Sequence, residues 1–216
     1  MKCTKMGLLL NFVQAQCIKY GIDESHGVKH AKGTWFRAAK IIKTLPDITE
    51  HEERVALCAA ALHDMCDSKY CPIEEASKDI RDFLLDIHMI PEEIQAVLDI
   101  VNTMSYSKLK KSMVNGVIQY PDHGKWQRAY NVARNADLLE AYIVARCVLY
   151  NKHIYPTKTE DEHWERAEQL FNERVFLYLS EGWINLPGAI VMVPALEEEA
   201  KRCLSGRLMD WPEPCI

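Results

Sequence analysis

The stretch Val55-Ala56-Leu57-Cys58-Ala59-Ala60-Ala61-Leu62 constrains the fold more than any other, because it is apolar on nearly every side of a helix. A helix without a polar face has to be surrounded, so further helices are expected to pack around this one. His63-Asp64-Met65-Cys66-Asp67 follows directly. A buried helix ending in an imidazole and a carboxylate must satisfy two polar groups through water, a partner side chain or a metal ion. The pair is a mixed nitrogen and oxygen donor set of the kind that suits Mn, Fe, Co, Ni or Zn. Taken alone, the doublet also fits a histidine hydrogen-bonded to a neighbouring carboxylate at a helix end.

The rest of the chain repeats the helical period. Leu8, Leu9, Phe12, Val13, Ala15 and Ile18 predict a helix from Met6 to Tyr20 that Gly21 stops. Asp23 or Ser25 caps a second, with Val28, Trp35, Ala38, Ala39, Ile41 and Ile42 as its apolar face and Pro46 closing it. The buried helix is the third, capped within 47–49. Further helices are expected over 73–87, over 92–104 after Pro91, from Trp126 to Tyr150, and from Thr159 to Ser180. Residues 105–112 read as a loop with three lysines, and 114–125 as a loop with a candidate short strand at 117–120. Beyond Trp183 the chain alternates Gly and Pro breaks, with a short helix at 196–204. The expectation is an all-α fold with one domain over 1–182 and a short irregular C-terminal extension over 183–216.

Length and composition agree. A chain of 216 residues, 48% apolar and 26% charged, suits one well-cored domain. Its net charge of −5 argues against duplex nucleic acid as a partner, which would need a basic face. No stretch reaches the ~18–20 apolar residues of a membrane span. The eight cysteines include no Cys-x-x-Cys pair and several lie in apolar helical patterns, so they are expected to be reduced thiols. Residues 1–10 lack the long apolar run and small-residue cleavage site of a leader, which points to a cytoplasmic protein.

Four polar groups interrupt the apolar helices: His30, four residues after His26, then His63 and Asp64, and Asp137 in Asn135-Ala136-Asp137-Leu138-Leu139. A carboxylate in the middle of an apolar helix is costly unless it is paired or coordinated. The order His…His-Asp…Asp resembles the HD-domain superfamily of metal-dependent phosphohydrolases. The likeness rests on Ser25-His26-Gly27-Val28-Lys29-His30, Ala61-Leu62-His63-Asp64-Met65-Cys66-Asp67 and Ala136-Asp137-Leu138, and it spans roughly 21–150.

That resemblance implies an HD-type helical bundle in which His30, His63, Asp64 and Asp137 ligate a divalent ion (Mn, Fe, Co, Ni, Mg or Zn). It also implies hydrolysis of a phosphorylated small molecule such as a nucleotide, by water activated at that ion. Asp67-Ser68-Lys69-Tyr70 and Met104-Ser105-Tyr106-Ser107-Lys108 look like those of the small single-domain nucleotide hydrolases of the superfamily. Within this reading Asp67 acts as general base, Lys69 and Lys108 stabilise phosphate charge, Ser105 and Ser107 donate hydrogen bonds to it, and His123 is a neighbouring or substrate-contacting group. Only His88 and His123 lie in the interval where dinuclear members carry extra histidines, so a single ion is expected. Arg134-Asn135 stands where the family often has a further acidic residue. Two alternatives stay open: a metal- or nucleotide-binding module without turnover, and an oxygenase of the same fold, which the missing histidines disfavour. Whether the chain self-associates is left open by the sequence.

Overall fold

In the computed structural model, which describes residues 3–213, the chain is all-α. The helices are α1 (Cys3–Tyr20), α2 (Val28–Ile42), α3 (Glu50–Leu62), α4 (Ile73–Asp86), α5 (Pro91–Thr103), α6 (Tyr106–Lys111), α7 (Gln127–Glu140), α8 (Val144–Ile154), α9 (Glu160–Glu173), α10 (Pro187–Ile190) and α11 (Val193–Gly206). Single 3-10 turns lie at Glu24–His26, His63–Cys66, Gly124–Trp126 and Val175–Leu177. Among the described residues the β pairing is limited to one bridge, between Val114 and Val117, so 117–120 forms no strand.

α3 is the axis of the molecule. Every residue from Val55 to Leu62 is buried, and α2, α5 and α7 pack around them. Its start is fixed by a reciprocal cap: the Glu52 amide donates to Thr49 Oγ1 (3.2 Å) and the Thr49 amide to Glu52 Oε2 (3.0 Å). The same Glu52 carboxylate accepts from Arg128 at 2.7 Å, tying α7 to the head of α3. Gly21, at φ +65°, ends α1 in the left-handed conformation expected of it. On α2, a Cβ at Gly33 would stand 2.2 Å from Glu140 Oε2, so glycine is what lets α2 approach α7. These are the helices that carry His30 and Asp137.

Glu93, in the first turn of α5, is fully buried and accepts from the Ile90 amide (3.2 Å), Arg54 Nη2 (2.6 Å) and His51 Nδ1 (2.6 Å). Burial raises its pKa, but these partners outweigh burial and hold it below the ordinary 4.5. A carboxyl whose folded pKa is depressed adds stability above its unfolded pKa and loses it as pH falls through the folded value. Glu93→Gln is therefore expected to flatten the loss of stability below about pH 4.5 relative to wild type. Denaturant midpoints measured from pH 7 to pH 3 test this, and parallel curves for the two proteins would refute it.

Several helices differ from the sequence expectation. The helix expected over 126–150 breaks into α7 and α8, closed by Ala141 N–H to Asp137 O (3.1 Å) and restarted after an extended Ile143. No Gly or Pro marks the break; Tyr142 and Ile143 turn inward and are buried there. The helix expected to reach Ser180 stops at Glu173, where Arg174 takes φ −144°, ψ −60°. The lysine-rich 105–112 segment winds into α6.

The C-terminal segment carries more helix than expected and belongs to the same core. Trp183 and Ile184 are buried, α10 packs on α2 and α7, and α11 packs on α8 and α9. No helix among the described residues is long and apolar enough to cross a membrane. No disulfide joins Cys17, Cys66, Cys71, Cys147 or Cys203, while Cys215 and the Cys3 side chain lie outside what is described.

Candidate metal centre

Three elements converge at one end of the core. α2 supplies His30, the tightened 3-10 turn at the end of α3 supplies His63 and Asp64, and α7 supplies Asp137. The two imidazole Nε2 atoms stand 3.1 Å apart. His30 Nε2 lies 3.2 Å from Asp64 Oδ2 and 3.5 Å from Asp137 Oδ1; His63 Nε2 lies 3.2 and 3.3 Å from the same oxygens. Ligands about 2.1 Å from one ion are separated by about 3.0 Å at adjacent octahedral positions and about 3.4 Å in a tetrahedron, so these five of the six separations match polyhedron edges, with His30, His63 and Asp137 the mutually close set.

The outer faces of the rings reinforce this. His63 Nδ1 is 2.9 Å from the Ala60 carbonyl, which can only accept, so Nδ1 carries the hydrogen and Nε2 points inward. Thr34 Oγ1 donates to the His30 carbonyl (3.0 Å), leaving an acceptor facing His30 Nδ1 at 3.5 Å. Asp64 Oδ2 is buried and accepts no hydrogen bond. An orphaned carboxylate oxygen against two inward-facing imidazole nitrogens is the donor set of a cation site, and the residues fit a divalent ion.

The electrostatics agree. Burial opposes charge on all three of His63, Asp64 and Asp137, yet mutual attraction wins. Asp64 and Asp137 are held well below the carboxylate range, chiefly by His63, and His63 is held well above the histidine range by the two aspartates. Without an ion, the cluster keeps a proton as its compensating charge.

Around this centre lie groups that the sequence pattern did not mark. Arg146, at the start of α8, presents Nη2 3.7 Å from Asp64 Oδ2 and Nη1 3.9 Å from Asp137 Oδ1, and its Nε donates to the Ser25 carbonyl at 2.7 Å. The available signal was a lone arginine in the apolar run Val144-Ala145-Arg146-Cys147-Val148. His26, four residues before His30, packs its ring 6.3 Å from that of His30 and 5.1 Å from Tyr150.

The other expected site residues are distributed unevenly. Lys69 reaches the centre's edge, with Nζ 3.1 Å from His26 Nε2. α3 does not continue past the doublet as a regular turn. Asp67 therefore sits outside, its Oδ1 accepting from the Lys69 amide (3.0 Å) and its Oδ2 3.3 Å from Lys69 Nζ. Lys108 donates to the Asn102 carbonyl (2.8 Å), closing the end of α5, and Ser105 and Ser107 face each other at 3.4 Å. His123 bonds Thr103 Oγ1 (3.0 Å) and stacks on Tyr130 at 4.5 Å. Among the described residues, no hydrogen bond or ion pair joins Asp67, Ser105, Ser107, Lys108 or His123 to the four ligands.

Fold and site together describe a single-domain all-α protein with a two-histidine, two-aspartate cluster in which His30, His63 and Asp64 are buried. No family model matches the chain, and neither does any curated protein. Among solved structures, the chain is similar to a crystal structure of a Lactobacillus plantarum protein determined as a Northeast Structural Genomics target. The two share 18% identity at a TM-score of 0.64, covering 97% of this chain and 99% of that one. At that identity the likeness establishes the fold.

Proposed function

We propose that the chain is a metal-dependent phosphohydrolase of the HD type, acting on a nucleotide or related phosphorylated small molecule at a single ion held by His30, His63, Asp64 and Asp137. The observation that carries this reading is the convergence of two inward Nε2 atoms on two carboxylate oxygens, of which that of Asp64 is buried and without a hydrogen bond. Two imidazoles favour Mn, Fe, Co, Ni or Zn over Mg. Such an ion supplies Lewis acidity toward a phosphoryl oxygen and lowers the pKa of its bound water. The chain's own part is positional. Arg146 sets a fixed guanidinium fork beside the ligand carboxylates, where a phosphoryl oxygen approaching the ion would meet it. α2, α3 and α7 exclude water from the ligands' outer faces.

The test is a panel of nucleoside mono-, di- and triphosphates with Mn, Co, Ni and Mg, following phosphate and pyrophosphate separately. Metal-dependent release of either is the expected result. Its absence across the panel, with the ion bound, would leave a binding module in place of an enzyme.

A single ion is expected per chain. His88 sits in the α4–α5 turn at φ +64°, and His123 is committed to Thr103 and Tyr130. Elemental analysis should give about one ion per chain for wild type and for His88→Ala, with the turnover of the variant within about twofold of wild type. Two ions per chain would revive the dinuclear alternatives.

A further inference from the structure

The turn before α2 holds two cations at the rim of the centre, and one of its residues has no part in the ligand set. Asp23 caps this turn: its Oδ1 accepts from the Ser25 amide (3.0 Å) and the Ser25 hydroxyl, and its Oδ2 accepts from the Tyr70 hydroxyl. His26 Nδ1 faces Asp23 Oδ2 (3.2 Å), Ser25 Oγ (2.8 Å) and Tyr70 Oη (3.1 Å). Both hydroxyl protons are directed at Asp23, so toward His26 all three oxygens are acceptors, and the ring hydrogen must sit on Nδ1. That leaves a lone pair on Nε2, 3.1 Å from the Lys69 ammonium. A hydrogen on Nε2 as well would set N–H against N–H.

Lys69 is therefore fixed from several sides. His26 Nε2 takes one N–H, and Asp67 Oδ2, 3.3 Å away, faces a second. The Tyr70 and Tyr150 rings flank the ammonium at 4.8 and 5.2 Å. The third N–H has no acceptor among the described residues. The Ser25 carbonyl of the same turn holds Arg146, whose guanidinium faces the ligand carboxylates.

We propose that His26 is a positioning residue: anchored by Asp23, its Nε2 aims Lys69 at the rim of the metal centre as a contact for substrate phosphate. The inference rests on the metal-centre reading for where that phosphate binds. A lysine stem is flexible and its ammonium strongly hydrated, so an unaimed Lys69 would swing into solvent and lose much of its contact. Reading Lys69 as a solvated surface residue leaves unexplained why a nearly buried imidazole is locked, by three acceptors, into the one tautomer that receives it.

The probe is inorganic phosphate, titrated calorimetrically into protein with and without Mn, alongside metal analysis and steady-state kinetics. His26→Leu removes the acceptor at similar size, and His26→Gln restores one. His26→Leu should weaken phosphate binding and raise KM about tenfold with kcat less affected, the scale of a lost charge-assisted contact. His26→Gln should stay within about threefold of wild type. In a Lys69→Met background, His26→Leu should cost nothing further, since it acts through Lys69.

A full-sized effect of His26→Leu in that background would overturn the proposal, as would unchanged phosphate affinity in the single variant. So would His26→Gln behaving like His26→Leu while both keep the wild-type melting temperature. Metal content is measured independently, so wild type that binds no ion would count against the metal centre, while the phosphate titration without Mn would still decide the role of His26.

Discussion

His63→Ala and Asp64→Ala are each expected to lose the ion and all measurable metal-dependent turnover while keeping a helical far-UV spectrum. The polar atoms of the ligands face one another. Each imidazole Nε2 lies within 3.5 Å of both carboxylate oxygens. Removing one ligand therefore opens the site without opening a cavity among the packed apolar residues. Loss of a group that merely orients a ligand typically costs 10–100-fold in affinity, so loss of a ligand should cost more than about a hundredfold. Asp64→Ala also deletes the carboxylate whose attraction to His63 outweighs its own desolvation in the metal-free chain, and that deletion leaves the His63 charge short of a partner. The metal-free Asp64→Ala protein should accordingly be less stable than metal-free wild type, and the metal-loaded comparison should favour wild type further. Elemental analysis and thermal melts with and without Mn check both parts. Wild-type metal content in either variant would remove that residue from the ligand set.

The sequence was most legible where a local pattern also settles the tertiary role. α3 announced itself as central because Val55 to Leu62 leave no face for solvent, and its Thr49-x-x-Glu52 start is a purely local cap. The four cluster residues stood out for the converse reason, as polar groups where the period demanded apolar ones. The break between α7 and α8 did not stand out, because it is imposed by where Tyr142 and Ile143 are buried and not by a breaker residue. Arg146 was missed with it. On an unbroken helix its neighbours made it an interruption of no evident use, and only the turn at 141–143 brings it back over Asp64 and Asp137. The run Ser105-Tyr106-Ser107-Lys108 fits phosphate contacts only through the family resemblance. Lys108 instead closes the carbonyl end of α5, a partner six residues away that composition does not reveal.

Arg134→Ala should produce the largest stability loss among the substitutions considered. The guanidinium is buried and makes no ion pair among the described residues. Nη1 donates to the Trp183 carbonyl, Nη2 donates to Asn185 Oδ1 at 2.7 Å, and the Tyr120 ring covers the plane at 4.5 Å. Burial pulls its pKa below the usual arginine value, which marks the cost of keeping that charge inside. Its neighbour Asn135 completes the clasp. Its Oδ1 accepts the Asn185 and Leu186 amides (3.0 and 3.3 Å), while its Nδ2 donates to the Asn131 carbonyl (2.8 Å) and Asn185 Oδ1 (3.1 Å). The pair standing where an acidic residue is common in the resembled family thus pins 183–186 onto the helix that carries Asp137.

Truncating Arg134 strips two acceptors of a charged donor at about 1–3 kcal/mol each and leaves a cavity under Tyr120, for a total of roughly 3–5 kcal/mol. Asn135→Ala, which orphans two backbone amides but leaves less space, should cost roughly 2–3 kcal/mol. Denaturant unfolding measures both, and hydrogen exchange should show residues 183–190 deprotected first, because the clasp is what couples α10 to α7. A loss under about 1 kcal/mol for Arg134→Ala, within the range of an ordinary neutral hydrogen bond, would mean that the Arg134 contacts add little to what Asn135 and the buried Trp183 and Ile184 already hold.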